Sequence, residues 1–176
     1  MKKIFKAILA ISIIGAMALG FAACGGNGGS DAIAVISREE GSGTRGAFVE
    51  LTGVEVDKVD KTVVTAEISS STAVVMQTVA GNKAAIGYIS LGSLDNTVKA
   101  VKVDGVEAKA ENVCNGSFKI WAYEHMYTKD ADEVTQAFID YMMSDEVQGS
   151  MVEGQGFIPA NDMKVKKDAS GTITNA

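Results

Sequence analysis

From Ala32 onward the chain alternates short, β-branched apolar runs with stretches of helical periodicity. Ala32-Ile33-Ala34-Val35-Ile36-Ser37 has strand length and is β-branched at Ile33, Val35 and Ile36, which predicts a strand. It runs into Arg38-Glu39-Glu40-Gly41-Ser42-Gly43-Thr44, after which Arg45 to Leu51 has helical composition as far as Gly53. Thr62-Val63-Val64-Thr65-Ala66 reads as another strand. Ser69-Ser70-Ser71-Thr72 offers a helix N-cap, and Val74, Val75, Thr78 and Val79 form an apolar face that Gly81 ends. Ala84 to Ser90 reads as a buried strand, and Val98, Val101 and Val103 lead to the hairpin signal Asp104-Gly105. The aromatic-rich run Phe118–Thr128 is expected to be a strand. Val134, Ala137, Phe138, Tyr141 and Met142 recur at i, i+3, i+4, i+7 and i+8, one stripe of a helix. Ser144, Asp145 and Glu146 suit the cap and acidic first turn of a further helix ending near Gly154 or Gly156. Beyond Pro159 the chain is polar and is expected to be irregular. Alternating strands and helices predict the α/β class.

The first residues are set apart by their pattern. Lys2, Lys3 and Lys6 precede an apolar run from Ala7 to Ala23, the order of an export signal. The run is marginal for a membrane span, which needs about 20 strongly apolar residues. Phe21-Ala22-Ala23-Cys24 resembles a bacterial lipobox, with Phe21 at the place where that pattern prefers Leu. The resemblance implies cleavage before Cys24 and lipid attachment to its sulfur; an uncleaved signal-anchor is the alternative. Gly25-Gly26-Asn27-Gly28-Gly29-Ser30 then reads as a flexible tether. Removing residues 1–23 takes the net charge from −6 to −9 through the loss of those three lysines. So acidic a chain is not expected to bind nucleic acid, whose partners present basic surfaces. Part of the mean hydropathy of +0.14 belongs to the signal.

The segment with the most chemistry is Ser37 to Thr44. A glycine-rich turn between a strand and a helix places unpaired backbone N–H groups at the positive end of the helix dipole, where an oxyanion can take them. Gly41 and Gly43 carry no Cβ to hold an anion away from the backbone. Ser42 and Thr44 add hydroxyl donors, and Arg38 adds a planar fork of N–H donors with a fixed charge. Each charge-assisted hydrogen bond contributes roughly 1.5–3 kcal/mol, so about four to six offset the desolvation of a phosphate-sized anion. No Lys follows Gly43, which excludes a Walker A loop, and Glu40 and Thr44 stand where a nucleophile elbow needs glycines. The plainer alternative is a glycine-rich turn in which Arg38 pairs with Glu40.

Residues 37–48 closely resemble the anion-binding segment of PstS-type phosphate-binding proteins, the receptors of ABC importers. Ala84–Ser90, Phe138–Met142, Ser144–Gln148 and Gly156–Pro159 are similar to the same family. The resemblance implies a periplasmic-binding-protein type II-like lobe, α/β with a mixed sheet flanked by helices. It implies phosphate contacts at Arg38, Ser42, Gly43 and Thr44, with Glu40 pairing with the arginine and Arg45 adding field strength or standing solvated. It implies no catalysis, no cofactor and no metal. Members of the family have two lobes, and here only the signal and tether precede Ile33. The expected organisation is a signal at 1–23, a tether at 24–31, an anion-binding second lobe at 32–116, a return segment with two helices at 117–160 and a polar tail at 161–176. The missing lobe supplies the family's acceptor for a phosphate proton, for which Glu39 is the only nearby substitute. A half-site of weak affinity follows.

The remaining candidates carry less. His125, the single histidine, has no second ligand or nucleophile at a telling spacing, and Cys114 is a lone thiol near a turn. Trp121, Tyr123 and Tyr127 fall on one face of an extended run and read as packing. The expected function is therefore that of a lipid-anchored extracytoplasmic receptor for inorganic phosphate serving a membrane ABC permease. A separate chain or a second copy is the expected source of a missing lobe. The alternatives are a receptor for sulfate, tungstate or molybdate, a truncated interaction or sensing lipoprotein, or a hydrolase using Ser42 with His125 as its base.

Overall fold

The structure is a computed structural model that describes residues 32–176. The signal, Cys24 and the tether lie outside the described residues. Strand β1 (Ala34–Arg38) is followed by helix α1 (Gly43–Leu51) and a two-stranded antiparallel hairpin, β2 (Glu55–Val56) and β3 (Val59–Asp60). Next come β4 (Glu67–Ser69), helix α2 (Thr72–Gly81) and β5 (Ala85–Gly87). The main sheet has the order β4-β1-β5 and is parallel on both sides of β1, with Arg38 opposite Ser69 and Ile36 opposite both Glu67 and Gly87. A mixed sheet was expected; among the described residues antiparallel pairing is confined to two separate two-stranded sheets and one isolated bridge. Crossovers between parallel strands are right-handed, so one crossover to β4 and another back past β1 to β5 lay α1 and α2 on opposite faces.

The core is small. Ile36 of β1, Val49 of α1 and Val75 of α2 are buried, each helix packing on β1. Val113 of α3 (Ala110–Cys114), Val147 and Val165 of β6 (Val165–Lys167) are buried as well. Helix α4 (Glu133–Met142) is capped by Asp132, whose Oδ1 accepts from the Thr135 amide at 2.8 Å. The helix expected after Ser144 forms with a π-helical stretch at Val147–Val152, and the Ser144 hydroxyl accepts from the Val147 amide.

Four expectations are corrected. The Thr62–Ala66 run is a turn, closed by Ala66 N–H donating to the Val63 carbonyl at 2.9 Å, and β1 pairs instead with the three residues that follow. Phe118–Thr128 is irregular, and no strand pairs with it among the described residues, so it forms no ladder. In the Ala84–Ser90 run only Ala85–Gly87 is strand, and Ile86 is exposed. The polar tail is ordered as an antiparallel pair, β6 with β7 (Ile173–Asn175), and the Lys167 ammonium lies 4.2 Å over the Trp121 ring. The apolar stripe of α4 stays open, with Val134, Phe138 and Tyr141 exposed. Among the described residues no helix is long and apolar enough to cross a membrane.

Candidate functional site

The C-terminal end of a parallel sheet is where every strand-to-helix connection begins, so helix N-termini collect there. The crevice forms between neighbouring strands whose connections leave in opposite directions. Here that place is between β1 and β4, where Arg38 faces Ser69 and the chain leaves into α1 and α2.

The ladder between β1 and β5 stops at Ile36–Gly87. On this side the even-numbered amides of β1 face β5, as the bond from Ala34 N–H to the Ala84 carbonyl shows. Arg38 N–H is the next such donor, and the Tyr88 hydroxyl takes it at 3.1 Å. The same hydroxyl lies 2.6 Å from the hydroxyl of Ser37, which is fully buried. The Tyr88 ring stacks on Phe48 of α1, centroids 4.1 Å apart and planes 6° apart. Strand end, helix and β5 are thus joined at one aromatic side chain.

Beyond Arg38 the chain turns through Gly41, whose φ of +83° suits glycine, and Ser42 N–H donates to the Glu39 carbonyl. Ser42 caps α1, its Oγ accepting from the Arg45 amide at 3.3 Å. The N–H groups of Gly43 and Thr44 meet no acceptor among the described residues. The Thr44 hydroxyl lies 3.3 Å from that of Ser90. This is the donor set an oxyanion takes at a helix start.

Both guanidinium groups nearby are already paired. Arg45 donates through Nη1 to the Arg38 carbonyl at 2.9 Å and through Nε to Asp60 Oδ2 at 2.9 Å. Arg45 is therefore a strut that ties the loop to the β2–β3 hairpin. The Asp60 carboxyl is held down to about 2, first by Thr62, whose amide donates to it, and then by Arg45. Arg38 donates through Nε and Nη2 to the two oxygens of Glu39, at 2.9 and 3.0 Å, and through Nη1 to the Thr72 hydroxyl at 3.1 Å. Arg38 holds the Glu39 carboxyl below the usual carboxylate range.

The structure thus brings Arg38, Ser42, Gly43 and Thr44 to one turn and corrects Glu40. Glu40 lies within the turn and is exposed, while Glu39, the first residue after β1, takes the arginine. A cavity of about 340 Å³ lies on the flank of the loop, lined by Glu40, Ser42, Arg45, Glu55 and Asp60 among others. With three carboxylates to one guanidinium it does not suit an anion, so the donor set is the crest of the loop and not this hollow. The hydroxyl of Ser42 is used as a helix cap, and His125 packs between the rings of Tyr123 and Tyr127, so no nucleophile–base pair forms between them. Among the described residues no group of three His, Cys, Asp or Glu is placed to hold a metal ion. Cys114 is a free, half-buried thiol whose pKa is raised by burial. Tyr88, Thr72 and Asp60 were not singled out as parts of the site by sequence, and each reaches Arg38 or Arg45 only through the fold; Glu39 was singled out as a stand-in acceptor for a phosphate proton, and not as the partner of Arg38.

Residues 5–146 match the family model of the PBP superfamily domain, and the chain belongs to that superfamily. Within it, the relatives are PstS-type phosphate-binding proteins. The chain is 40% identical to phosphate-binding protein PstS 2 of Streptococcus agalactiae over an alignment covering all of this chain and 64% of that protein. It is 41% identical to the phosphate-binding protein PstS of Bacillus subtilis, over 82% of this chain and 47% of the relative. Among solved structures it is similar to the phosphate-binding protein of a phosphate ABC transporter from Streptococcus pneumoniae. That match has a TM-score of 0.62 and 42% identity, over 72% of this chain and 51% of the other. A putative phosphate ABC transporter substrate-binding protein from Clostridium perfringens, solved with bound phosphate, matches with a TM-score of 0.57 and 39% identity over 73% of this chain and 52% of its own. The chain thus spans about half to two thirds of the length of these relatives.

Proposed function

We propose that this chain binds inorganic phosphate on the extracytoplasmic face of the membrane, held there by a lipid on Cys24, and serves an ABC phosphate importer. One observation carries the reading: the Gly43 and Thr44 amides of a Ser42-capped helix meet no acceptor among the described residues, on the loop that follows Arg38 at the end of a parallel sheet. The Clostridium perfringens relative, 39% identical, binds phosphate. The role in this reading is capture rather than catalysis, in keeping with relatives named as phosphate-binding proteins.

Among the described residues the donors come from one side only, and the reading is therefore of a half-site. If about 4 kcal/mol survives the costs of association, the affinity is roughly millimolar. Isothermal titration of the full chain in detergent with phosphate and with sulfate tests this. Weak phosphate binding that Arg38→Ala abolishes is the expected result. Binding unaffected by Arg38→Ala, or binding of sulfate in preference to phosphate, overturns the reading.

A further inference from the structure

We propose that Glu39 is an internal rival of the anionic ligand, a carboxylate that occupies the Arg38 fork and must be displaced before an oxyanion can take it. This rests on the phosphate reading above and deepens it by naming what sets the affinity of that site. A guanidinium grips an oxyanion best along the edge formed by Nε and one terminal nitrogen, two parallel N–H groups onto two oxygens. In Arg38 that edge is Nε and Nη2, and Glu39 holds it with both oxygens. The remaining terminal nitrogen is tied to the Thr72 hydroxyl, which fixes the plane of the group and keeps Arg38 from offering its other edge.

The two partners differ in how readily they move. The Arg38 side chain is 12% exposed, whereas that of Glu39 is 34% exposed. Glu39 also lies just past the last paired residue of β1, so no strand partner constrains it. Its carboxylate returns to water at little cost, while the guanidinium stays in place. Binding is then an exchange in which one anion leaves the fork as another enters. The ligand gains only the difference between its own grip on Arg38 and that of Glu39. Thr72 is the positioning residue in this scheme, since its hydroxyl acts on the ligand only through Arg38.

A scaffold role for Glu39 makes the opposite prediction. If the carboxylate merely aimed the guanidinium, neutralising it would loosen the fork and weaken binding. The sign of the change therefore decides. Glu40 supplies the control, because it is the next residue along, carries the same charge and is exposed.

The experiment titrates inorganic phosphate into the full chain and into Glu39→Gln, Glu40→Gln and Arg38→Ala, with circular dichroism confirming that each variant is folded. A parallel NMR titration follows the Glu39 carboxyl carbon against pH with and without saturating phosphate. The expected result is that Glu39→Gln binds phosphate about threefold or more tightly than the parent and gains more than Glu40→Gln. Phosphate should also return the Glu39 carboxyl toward its ordinary range. If the parent binds but Glu39→Gln binds equally or more weakly, or gains no more than Glu40→Gln, the rival role is overturned and the phosphate reading stands. If neither the parent nor Glu39→Gln binds phosphate, both fail together.

Discussion

Replacing Tyr88 by Phe removes one oxygen and leaves the ring. The hydroxyl accepts from the Arg38 amide at 3.1 Å and bonds the buried Ser37 hydroxyl at 2.6 Å. Without it the Arg38 amide, at the end of the β1–β5 ladder, has lost its acceptor, which costs about 1–3 kcal/mol where water cannot replace it. Ser37 loses less, because its hydroxyl also lies 3.3 Å from the Arg38 carbonyl and keeps that bond. The stacking on Phe48 survives, since Phe presents the same ring. The expected loss is therefore about 2–3 kcal/mol, dominated by unpaired polar groups and not by packing. For a chain of this size that lowers the melting temperature by roughly 6–9 °C. Thermal unfolding followed by circular dichroism measures the loss, and amide exchange at Arg38 localises it. A Tyr88→Phe variant that melts within about 1 °C of the parent, with Arg38 protection unchanged, refutes the claim that this hydroxyl terminates the strand.

Two further perturbations test other parts of the structure. A Cβ built on Gly92 falls 2.1 Å from the Gly156 carbonyl oxygen, and one on Gly156, where φ is +81°, falls 2.8 Å from the Gly92 Cα. Both obstacles are backbone, so Gly92→Ala and Gly156→Ala should each cost about 1–3 kcal/mol in chemical denaturation, whereas Gly149→Ala, which meets nothing within 4 Å, should not. Asp60 titrates at about 2 in the folded chain against an ordinary value of 3.8, so its pairing with Thr62 and Arg45 contributes fully above pH 3.8 and is lost as the pH falls through about 2. The stability of the parent over Asp60→Asn should thus be greatest near neutral pH and vanish in strong acid, and a difference that does not depend on pH would contradict the pairing.

Much of the local structure was legible because it depends on neighbours in sequence. The β-branched run before Ser37, the cap residues ahead of α2 and the Asp104-Gly105 turn all specify geometry within a few residues. The geometry of the loop from Ser37 to Thr44 was legible for the same reason: strand, glycine turn and helix follow one another without a gap. The misreadings share a cause. Val63 and Val64 have the propensity of strand residues but sit in a turn, since a strand needs a partner in register and β1 takes 67–69. Phe118–Thr128 has the composition of a strand and no ladder to join among the described residues. The β2–β3 hairpin turns on Asp57 and Lys58, both at positive φ, a conformation for which Lys gives no signal. The partners of Arg38 divide the same way. Thr72 and Tyr88 lie 34 and 50 residues away and become neighbours only when the sheet forms.

The charge balance of the loop follows from this arrangement. An acidic chain cannot attract an anion by its overall field, and its two local guanidinium groups are each matched by a carboxylate, Arg38 by Glu39 and Arg45 by Asp60. What remains uncompensated at the turn is the partial positive charge of the first amides of α1, which no side chain in the described residues neutralises. The two ion pairs are not equivalent. Asp60 is anchored to the hairpin through the Thr62 amide and Arg45 is anchored to the Arg38 carbonyl, so that pair braces the backbone. Among the described residues the Glu39 carboxylate is held chiefly by the arginine it covers and otherwise only by its own backbone amide. The braced pair holds the amides in place, and the unbraced pair leaves one guanidinium edge open to exchange. In the proposed reading, the two together let an anion enter the loop while each guanidinium keeps an anionic partner.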